Sequence, residues 1–216
     1  MQVYPGIVLM GGVGYDSNVY VIDGEIIVDT GTGIFFNSMK KEIESNYETR
    51  KIKTIINTHC HFDHTGADKK FRDWLKADIA IHEADKEALE TGRTLADMFS
   101  QKAKSITTDN ELKDKSIIKT ENFKFEVIHT PGHTPGSICL LDKGKKILIS
   151  GDTLFADGIG RTDFKGGSSA DIQLSLKKLL KNQLEYLFPG HGNPKIGGVN
   201  FLIKQYVSNG VSNGSL

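Results

Sequence analysis

The sequence is poor in cysteine, proline and tryptophan, and neither sign of charge is in excess. Of its 216 residues, two are cysteine, five are proline and one is tryptophan. Two cysteines are too few for a disulfide framework, which fits a reducing compartment. The 27 basic and 27 acidic residues balance. Because binding to a phosphate backbone usually requires clustered lysine and arginine, nucleic acid is not an expected partner.

Long apolar runs are also absent from the sequence. No stretch approaches the roughly 18–20 residues that a membrane span requires, and the opening MQVYPGIVLMGG lacks the basic flank and cleavage site of a secretory signal. We therefore expect a cytoplasmic protein with no membrane association. The length and apolar content predict a single domain over residues 1–207, followed by a disordered polar tail at 208–216.

Short β-like runs alternate with helical patterns along the chain. Strands are predicted at 6–10, 18–23, 25–29, 52–57, 77–82, 122–129, 137–142, 145–150 and 185–188. Helices are predicted around Met39, Ile43 and Tyr47, at 67–76, at 83–90 and after Ser168 or Ser169. Asp23-Gly24 predicts a two-residue hairpin, and the polar segment 92–112 is hard to place, with a helix as one interpretation. Strands followed by helices in each half predict two sheets between helical layers, an α+β sandwich.

The segment THCHFDHTG at 58–66 concentrates ligand-type side chains directly after a predicted strand. In an extended segment, His59, His61 and Asp63 share one face, while Cys60 and Phe62 point to the other. Imidazole and carboxylate ligands suit Zn²⁺, Fe²⁺ or Mn²⁺, and this pattern does not choose among the three. Cys60 is accordingly predicted to be a packed thiol rather than a ligand.

Three further candidates each follow a predicted strand: His133, Asp152 and His191. Glycine or proline beside each candidate predicts stiff, sharply turned loops, and loops that follow strand ends at one edge of a sandwich cluster in space. A single histidine at such a position is more often hydrogen-bonded or exposed than a ligand. Since five of the seven histidines fall in this pattern, the set predicts one shared metal site.

Three other polar residues have less specific surroundings. His82 and His129 lie within or at the end of apolar runs, which favours structural roles. Asp29, in VDTGTG, is interpreted either as a turn residue or as an acceptor that orients a ligating imidazole.

Together THCHFDHTG, HTPGHTPGS, GDTLF and FPGHG resemble the metallo-β-lactamase superfamily, in order and spacing, over nearly the whole chain. The resemblance implies a four-layer αββα sandwich with a metal site at one edge. Within the superfamily, GIGRTDF at 158–164 resembles the single-domain glyoxalase II-like hydrolases and also the persulfide dioxygenases.

The resemblance implies two divalent metal ions, with zinc expected first and iron or manganese as alternatives. The implied ligands form two sets with a shared carboxylate: His59, His61 and His133; Asp63, His64 and His191; and Asp152 as the bridge. A hydroxide between the two ions would attack a small-molecule thioester. Asp63 and Asp152 would act as catalytic carboxylates, with proton transfer through Asp63.

Substrate recognition leaves alternatives open. Arg161 is interpreted either as a partner for a substrate carboxylate or as half of a structural ion pair with Asp163. Glyoxalase II holds glutathione partly with a C-terminal helical domain, whereas this chain ends at residue 216, soon after His191. The carrier thiol is therefore open, and no oligomeric state is predicted.

Two other functional interpretations compete with thioester hydrolysis. A persulfide dioxygenase would hold one Fe²⁺ with His59, His133 and Asp152, leaving positions for O₂ and a sulfur substrate. The PGHG segment at 189–192 resembles the hydrolases more than the dioxygenases, so hydrolysis is preferred. A non-catalytic metal-binding protein is the third interpretation, although no ligand position is replaced.

Overall fold

In a computed structural model, which describes residues 1–12, 14–102 and 105–209, the chain forms two β-sheets that pack face to face. The first sheet contains, in spatial order, β1 Gln2–Tyr4, β2 Ile7–Gly11, β3 Asn18–Ile22, β4 Ile26–Val28, β5 Thr54–Ile56, β6 Asp78–His82 and β7 Asn110–Leu112. The second contains β8 Ile117–Lys119, β9 Lys124–His129, β10 Ile138–Asp142, β11 Ile147–Gly151, β12 Tyr186–Pro189 and β13 Lys195–Ile196, again in spatial order.

Each sheet combines antiparallel and parallel pairs. Strands β1 to β4 are antiparallel neighbours, and β4 to β7 are parallel. In the second sheet, β8 to β11 are antiparallel, the β11–β12 pair is parallel, and β13 returns antiparallel to β12. The parallel strands β5 and β12 end at loops that carry predicted ligands, which is the usual position of sites in α/β sheets.

Six α-helices lie along the described chain. They are α1 Phe36–Asn46, α2 Phe62–Thr65, α3 Asp68–Leu75, α4 Glu83–Thr91, α5 Ser169–Leu179 and α6 Val199–Asn209. Short 3₁₀ turns occur at Thr49–Lys51 and Ala96–Phe99. Helix α5 begins where the Ser168 hydroxyl accepts a hydrogen bond from the Asp171 N–H, and α4 ends at Gly92 with φ of 75°.

Three apolar layers hold these elements together and confirm the four-layer α+β sandwich. Met39 of α1 and Phe71 of α3 pack on the outer face of the first sheet. Tyr20 and Phe188 belong to the layer between the sheets. The outer face of the second sheet is covered by α5 and α6, which contribute side chains such as Leu176. Each fully buried side chain of this size contributes about 1.5–3 kcal/mol through removal of apolar surface from water.

Most predicted elements are confirmed, and the differences are local. Ile22 pairs with Ile26, so the predicted hairpin has a three-residue loop instead of a two-residue loop. Asp23 and Gly24, the first two residues of the loop, both have positive φ. The prediction did not include α2, α6 or the short strands β1, β7, β8 and β13. In its described residues, 92–102 and 105–112, the polar segment contains a 3₁₀ turn and β7 rather than an α-helix.

The predicted tail begins inside α6, because Ser208 and Asn209 are helical; residues 210–216 lie outside the described part of the chain. Both cysteines are buried free thiols. Within the described residues, no helix combines the length and the apolar character that crossing a membrane requires.

Candidate metal centre

The structure brings all seven predicted ligands to one edge of the sandwich. The segment after β5 supplies His59, His61, Asp63 and His64, and the loops after β9, β11 and β12 supply His133, Asp152 and His191. Two strands of the second sheet, β11 and β12, are parallel, so their loops leave from the same end. This convergence agrees with the expectation from the strand-end pattern.

The local backbone differs from the extended segment that was expected. His61 has extended φ and ψ, but Phe62 begins the helical turn α2, so Asp63 and His64 leave the chain from successive helical positions. The prediction that Asp63 shares an extended-strand face with His59 is therefore wrong, because a turn intervenes. The turn lets Phe62 pack near Phe99, with ring centroids 5.7 Å apart.

Three of the ligand-type side chains form a group that contains only imidazoles. In this three-histidine group, His59, His61 and His133, the donor atoms lie within 4.8 Å of one another. The His61 Nδ1 atom is 2.9 Å from His133 Nε2 and 3.2 Å from His59 Nε2. The ring nitrogens therefore converge on one small volume.

A second group contains a carboxylate beside two imidazoles. In this mixed group, Asp63, His64 and His191, the donor atoms also lie within 4.8 Å of one another. The His191 Nε2 atom is 3.0 Å from Asp63 Oδ2 and 3.2 Å from His64 Nε2. Oxygen and nitrogen donors at this spacing suit a divalent cation.

Asp152 lies between the two groups. Its carboxylate oxygens are 3.3 Å from His64 Nε2, 3.6 Å from His133 Nε2 and 3.6 Å from His191 Nε2. The Oδ1 atom is buried and makes no aligned hydrogen bond within the described residues. Since an unsatisfied buried carboxylate oxygen is costly, this oxygen fits a position beside a cation. Gly190 permits the approach, because a Cβ there would lie 2.2 Å from Oδ1.

The outer nitrogens of three imidazoles are held by oxygen acceptors. His64 Nδ1 donates to Asp29 Oδ2 at 2.8 Å, and His133 Nδ1 donates to the Arg161 carbonyl at 2.8 Å. His59 Nδ1 lies 3.2 Å from the Thr58 hydroxyl. A nitrogen that donates outward leaves the opposite Nε2 with its lone pair, which is the arrangement that metal-ligating histidines use.

Both interpretations of Asp29 hold. It has φ of 58° at the end of β4, as a turn residue would. Its Oδ1 atom accepts from the Thr58 N–H and its Oδ2 atom accepts from the Thr58 hydroxyl, each at 2.8 Å, besides orienting His64. Because the Thr58 hydroxyl donates its proton to Asp29, the Thr58 oxygen can accept a hydrogen bond from His59 Nδ1. One carboxylate thus orients an imidazole in each group.

A family model described as the metallo-β-lactamase superfamily matches residues 12–191 of the chain. The chain belongs to the metallo-β-lactamase superfamily. Among its relatives, a probable metallo-hydrolase of Methanocaldococcus jannaschii is 36% identical over 86% of this chain and 92% of its own length. The hydroxyacylglutathione hydrolase GloC of Haemophilus influenzae is 35% identical over 66% of this chain and 69% of that protein.

Solved structures of the superfamily share the fold. The B3 metallo-β-lactamase BLEG-1 superposes with a TM-score of 0.78 at 27% identity, covering 94% of this chain and 96% of that one. TTHA1623, solved in a di-iron-bound form, superposes with a TM-score of 0.75 at 26% identity, covering 90% of this chain and 96% of that one. The donor atoms converge and the chain belongs to this superfamily, so we identify the cluster as the metal-binding centre of a metallo-hydrolase.

Burial keeps two members of the three-histidine group, His59 and His61, neutral. Removal from water lowers the pKa of His59 well below its usual value, and the neighbouring imidazoles lower it further. The same causes, burial first and His133 second, lower the pKa of His61 to about 3. Neutral imidazole is the form that binds metal, so these histidines are ready as ligands near neutral pH.

Carboxylates reverse this behaviour in the mixed group. Burial opposes a charge on His64, but Asp152, Asp29 and Asp63 outweigh it and raise the pKa well above the usual value. The pKa of His191 is also raised, because Asp152 and Asp63 outweigh burial. In turn the imidazoles hold the pKa of Asp152 well below its usual value despite burial. Protons therefore compete with a cation more strongly at His64 and His191 than at His59 and His61.

The sequence prediction missed two residues that hold the His191 loop. The Asn18 side-chain amide donates to the carbonyls of Pro189 and Gly192, each at 2.9 Å, and the Tyr20 hydroxyl donates to Pro189 at 2.7 Å. Both residues lie in β3, whose five residues are all buried. A buried asparagine in an apolar strand requires partners, and that was the available signal.

His82 and His129 lie outside both groups, as the prediction of structural roles requires. Their rings stack at 4.0 Å with an interplanar angle of 14°. His82 Nδ1 accepts from the Ala84 N–H at the start of α4, and His129 Nε2 donates to the Pro135 carbonyl at 2.8 Å.

Arg161 and Phe164 lie beside the cluster, because the Arg161 carbonyl contacts His133 and the Phe164 ring contacts His61. Arg161 pairs with Asp163 through two hydrogen bonds of 3.0 and 2.7 Å, and its guanidinium lies 4.2 Å above the Phe164 ring. Phe164 in turn contacts His61 edge to face, with centroids 5.8 Å apart. The structural ion pair is therefore present, and a role of Arg161 in substrate binding stays a prediction.

Proposed function

We propose that the protein is a two-metal hydrolase that cleaves small-molecule thioesters. The observation that carries the proposal is the position of Asp152, whose buried carboxylate faces histidines of both groups and leaves one oxygen without a hydrogen bond. A single cation would occupy one group and leave the converging donors of the other group without a cation. A carboxylate shared by two cations accounts for all seven side chains.

The three-histidine group would hold one cation, the mixed group would hold the other, and Asp152 would bridge them. Two cations at this edge would lower the pKa of a bound water and polarise a substrate carbonyl. Nitrogen-rich ligands fit zinc first, with iron or manganese as alternatives. TTHA1623 in its di-iron form supports the iron alternative.

Asp63 is the carboxylate that we assign to move the proton of the attacking water. Its side chain is 14% exposed, against 9% for Asp152, so it is the more accessible of the two. Its Oδ2 atom is engaged by His191 at 3.0 Å, which keeps the carboxylate fixed. Asp152 holds the two groups in register and does not need to release a proton.

Thioester chemistry suits a site with these residues. A thiolate leaves without a strong general acid, because thiols have a pKa of about 8.5, whereas an amide nitrogen must be protonated. The sequence similarity to the hydroxyacylglutathione hydrolase GloC supports the same choice. The carrier thiol is open, and no residue described here selects glutathione.

A mononuclear-iron persulfide dioxygenase is the competing function. It would need His59, His133 and Asp152 only. In this structure the donor atoms of the mixed group lie within 4.8 Å of one another, as those of the three-histidine group do. A dioxygenase would have no use for the mixed group, so this arrangement favours hydrolysis.

The test is to purify the protein, count zinc, iron and manganese per chain, and run three assays on the same sample. We expect two metal ions per chain and thiol release from a lactoyl thioester. One iron per chain with oxygen consumption on adding glutathione persulfide would contradict the proposal and support the dioxygenase. A chromogenic cephalosporin is the third substrate, because BLEG-1 is described as a metallo-β-lactamase; turnover of it alone would also contradict thioester specificity.

A further inference from the structure

Asp85 is a buried carboxylate that belongs to neither donor group. It is the third residue of α4, and only 1% of its surface is exposed. A carboxylate buried to this degree is stable only when hydrogen-bond donors satisfy its oxygens. The identity of those donors shows what the residue does.

Among the described residues, the donors to Asp85 come from the segment after β5 and from the loop after β9, which together carry the three-histidine group. The Oδ2 atom accepts from the Cys60 N–H at 2.9 Å and from the Thr134 hydroxyl at 2.7 Å, and the Oδ1 atom accepts from the Gly136 N–H at 2.7 Å. Cys60 lies between His59 and His61 in the chain, and Thr134 directly follows His133. One side chain therefore joins two ligand loops that are distant in sequence.

The second loop is shaped to receive this carboxylate. A Cβ atom at Gly136 would lie 2.5 Å from Asp85 Cγ, so only glycine allows the approach. The Thr134 hydroxyl also contacts the Ser137 hydroxyl at 2.8 Å. The neighbouring Pro135 carbonyl is held by His129, as described above. The loop is thus fixed by Asp85 of α4, by His129 of β9 and by a contact within the loop itself.

The mixed group is supported differently. His64 is oriented by Asp29, and the His191 loop is held by Asn18 and Tyr20. Within the described residues, the hydrogen bonds of Asp85 reach none of these side chains. Removal of Asp85 should therefore disturb the three-histidine group more than the mixed group, of which only Asp63 and His64 follow on the Cys60 segment.

We propose that Asp85 is a positioning residue, which sets the separation of the two loops that carry His59, His61 and His133. It does not touch a reacting atom, and it acts through the backbone of Cys60 and Gly136. The inference rests on the proposed two-metal site. Supporting side chains around metal ligands typically change metal affinity by about 10–100-fold, and we expect that loss at the three-histidine group, with a smaller loss at the mixed group.

The variants are Asp85→Ala, Asp85→Asn and a matched control, Asp142→Ala. Asp142 is a carboxylate with 5% exposure that accepts from the Lys124 N–H at 3.0 Å and the Lys145 N–H at 2.9 Å. It lies at the end of β10 remote from the ligand loops, because β10 begins at residue 138 beside the His133 loop. The control removes the same kind of buried acceptor without touching the centre.

Two measurements separate positioning from general destabilisation. The first is metal release under increasing chelator, which resolves a weak and a tight site. We expect one site to weaken about 10–100-fold in the Asp85 variants and neither to weaken in Asp142→Ala. The second is amide hydrogen exchange in metal-free protein, where Cys60 and Gly136 should exchange faster in the Asp85 variants only. The second measurement needs no metal and no substrate.

The outcomes are distinct. Unchanged metal release and unchanged Cys60 and Gly136 exchange in a folded Asp85 variant would overturn the proposal, as would equal weakening of both sites. If neither Asp85 variant folds, Thr134→Val removes one donor to the same carboxylate, and the same selective weakening is expected. Faster exchange without a second metal in the wild type would support Asp85 as the tie between the loops and refute the two-metal hydrolase.

Discussion

The two donor groups of the centre lie side by side but differ in charge. The three-histidine group contains no carboxylate, and burial lowers the pKa values of His59 and His61. The mixed group contains Asp63 and has Asp29 behind it, so the pKa values of His64 and His191 are raised. His64 is as fully buried as His59, so for this pair the carboxylates make the difference. His59 and His61 are therefore neutral near neutral pH, whereas a cation must displace protons from His64 and His191.

Asp152→Ala should have the largest effect, because it removes the carboxylate that joins the two groups. We expect thioester turnover to fall on the order of 10³-fold, since the shared site contributes several kcal/mol of charge stabilisation. Steady-state thiol release together with metal content per chain checks this. Asp142→Ala is the control, and unchanged turnover by a folded Asp152→Ala protein would contradict the assignment.

Asp29→Asn should weaken the mixed group selectively. Asparagine tolerates the positive φ at this position, so the fold is preserved while the charge that orients His64 is lost. We expect metal affinity to fall about 10–100-fold at one site, measured by chelator competition. Because Asp29 also supports Thr58, a smaller weakening at the three-histidine group is expected. If metal affinity in Asp29→Asn fell more at the three-histidine group than at the mixed group, the assignment of Asp29 to the mixed group would be wrong.

The position of the ligand-bearing loops could be predicted from the sequence because histidine, aspartate, glycine and proline recur after strand-like runs. The backbone conformation at Phe62 could not, since four residues of helix leave no periodic signal. Likewise β8 is three residues long, with Ile117 47% exposed, and gives no alternation to detect. Helix α6 did carry a signal, because Val199, Leu202 and Ile203 have helical spacing.

The supporting residues were harder to predict than the ligands. Asp29, Asn18 and Asp85 each act on a loop that is remote in sequence, and no local pattern names the partner. Their contacts depend on how the two sheets pack. Asp29 could be placed on a short list of roles because a turn residue and an acceptor are both typical of aspartate after a strand.

Another buried carboxylate, Asp68, provides a smaller and pH-dependent effect. Burial is the largest cause that raises its pKa to about 7. Its Oδ1 atom is 2.8 Å from the Thr30 hydroxyl, which also lies 3.1 Å from the His64 carbonyl. One hydroxyl proton cannot serve both oxygens, so a protonated Asp68 that donates to Thr30 satisfies all three groups.

Because the folded-state pKa of Asp68 is raised, its stabilising contribution is fully present below the unfolded-state value of about 3.9 and is lost as pH rises through about 7. Between these values, wild-type stability should fall by about 1.4 kcal/mol per pH unit relative to Asp68→Asn. Urea unfolding of both proteins at pH 5, 6 and 7 measures the difference. If the free energy of unfolding changed equally with pH in the two proteins, Asp68 would be ionised throughout this pH range.

Arg161→Ala should have the smallest effect. The Arg161–Asp163 pair is more than half exposed on both sides, and exposed pairs contribute less than about 1 kcal/mol to folding. We expect no more than a small shift in unfolding midpoint and a change in KM only for substrates that carry a carboxylate. Asp163→Ala is the matched control, because it breaks the pair and leaves the guanidinium free. A large fall in kcat for an uncharged thioester would contradict the expectation that Arg161 affects only the binding of substrates with a carboxylate.

The most direct measurement is anomalous diffraction from crystals of the purified protein, with the metals identified at their absorption edges. We expect two peaks, one among His59, His61 and His133 and the other among Asp63, His64 and His191, with Asp152 between them. At lower pH the peak in the mixed group should fade first, because the raised pKa values of His64 and His191 favour protons there. A single iron peak beside His59, His133 and Asp152 at neutral pH, with the mixed group empty, would contradict the two-metal centre.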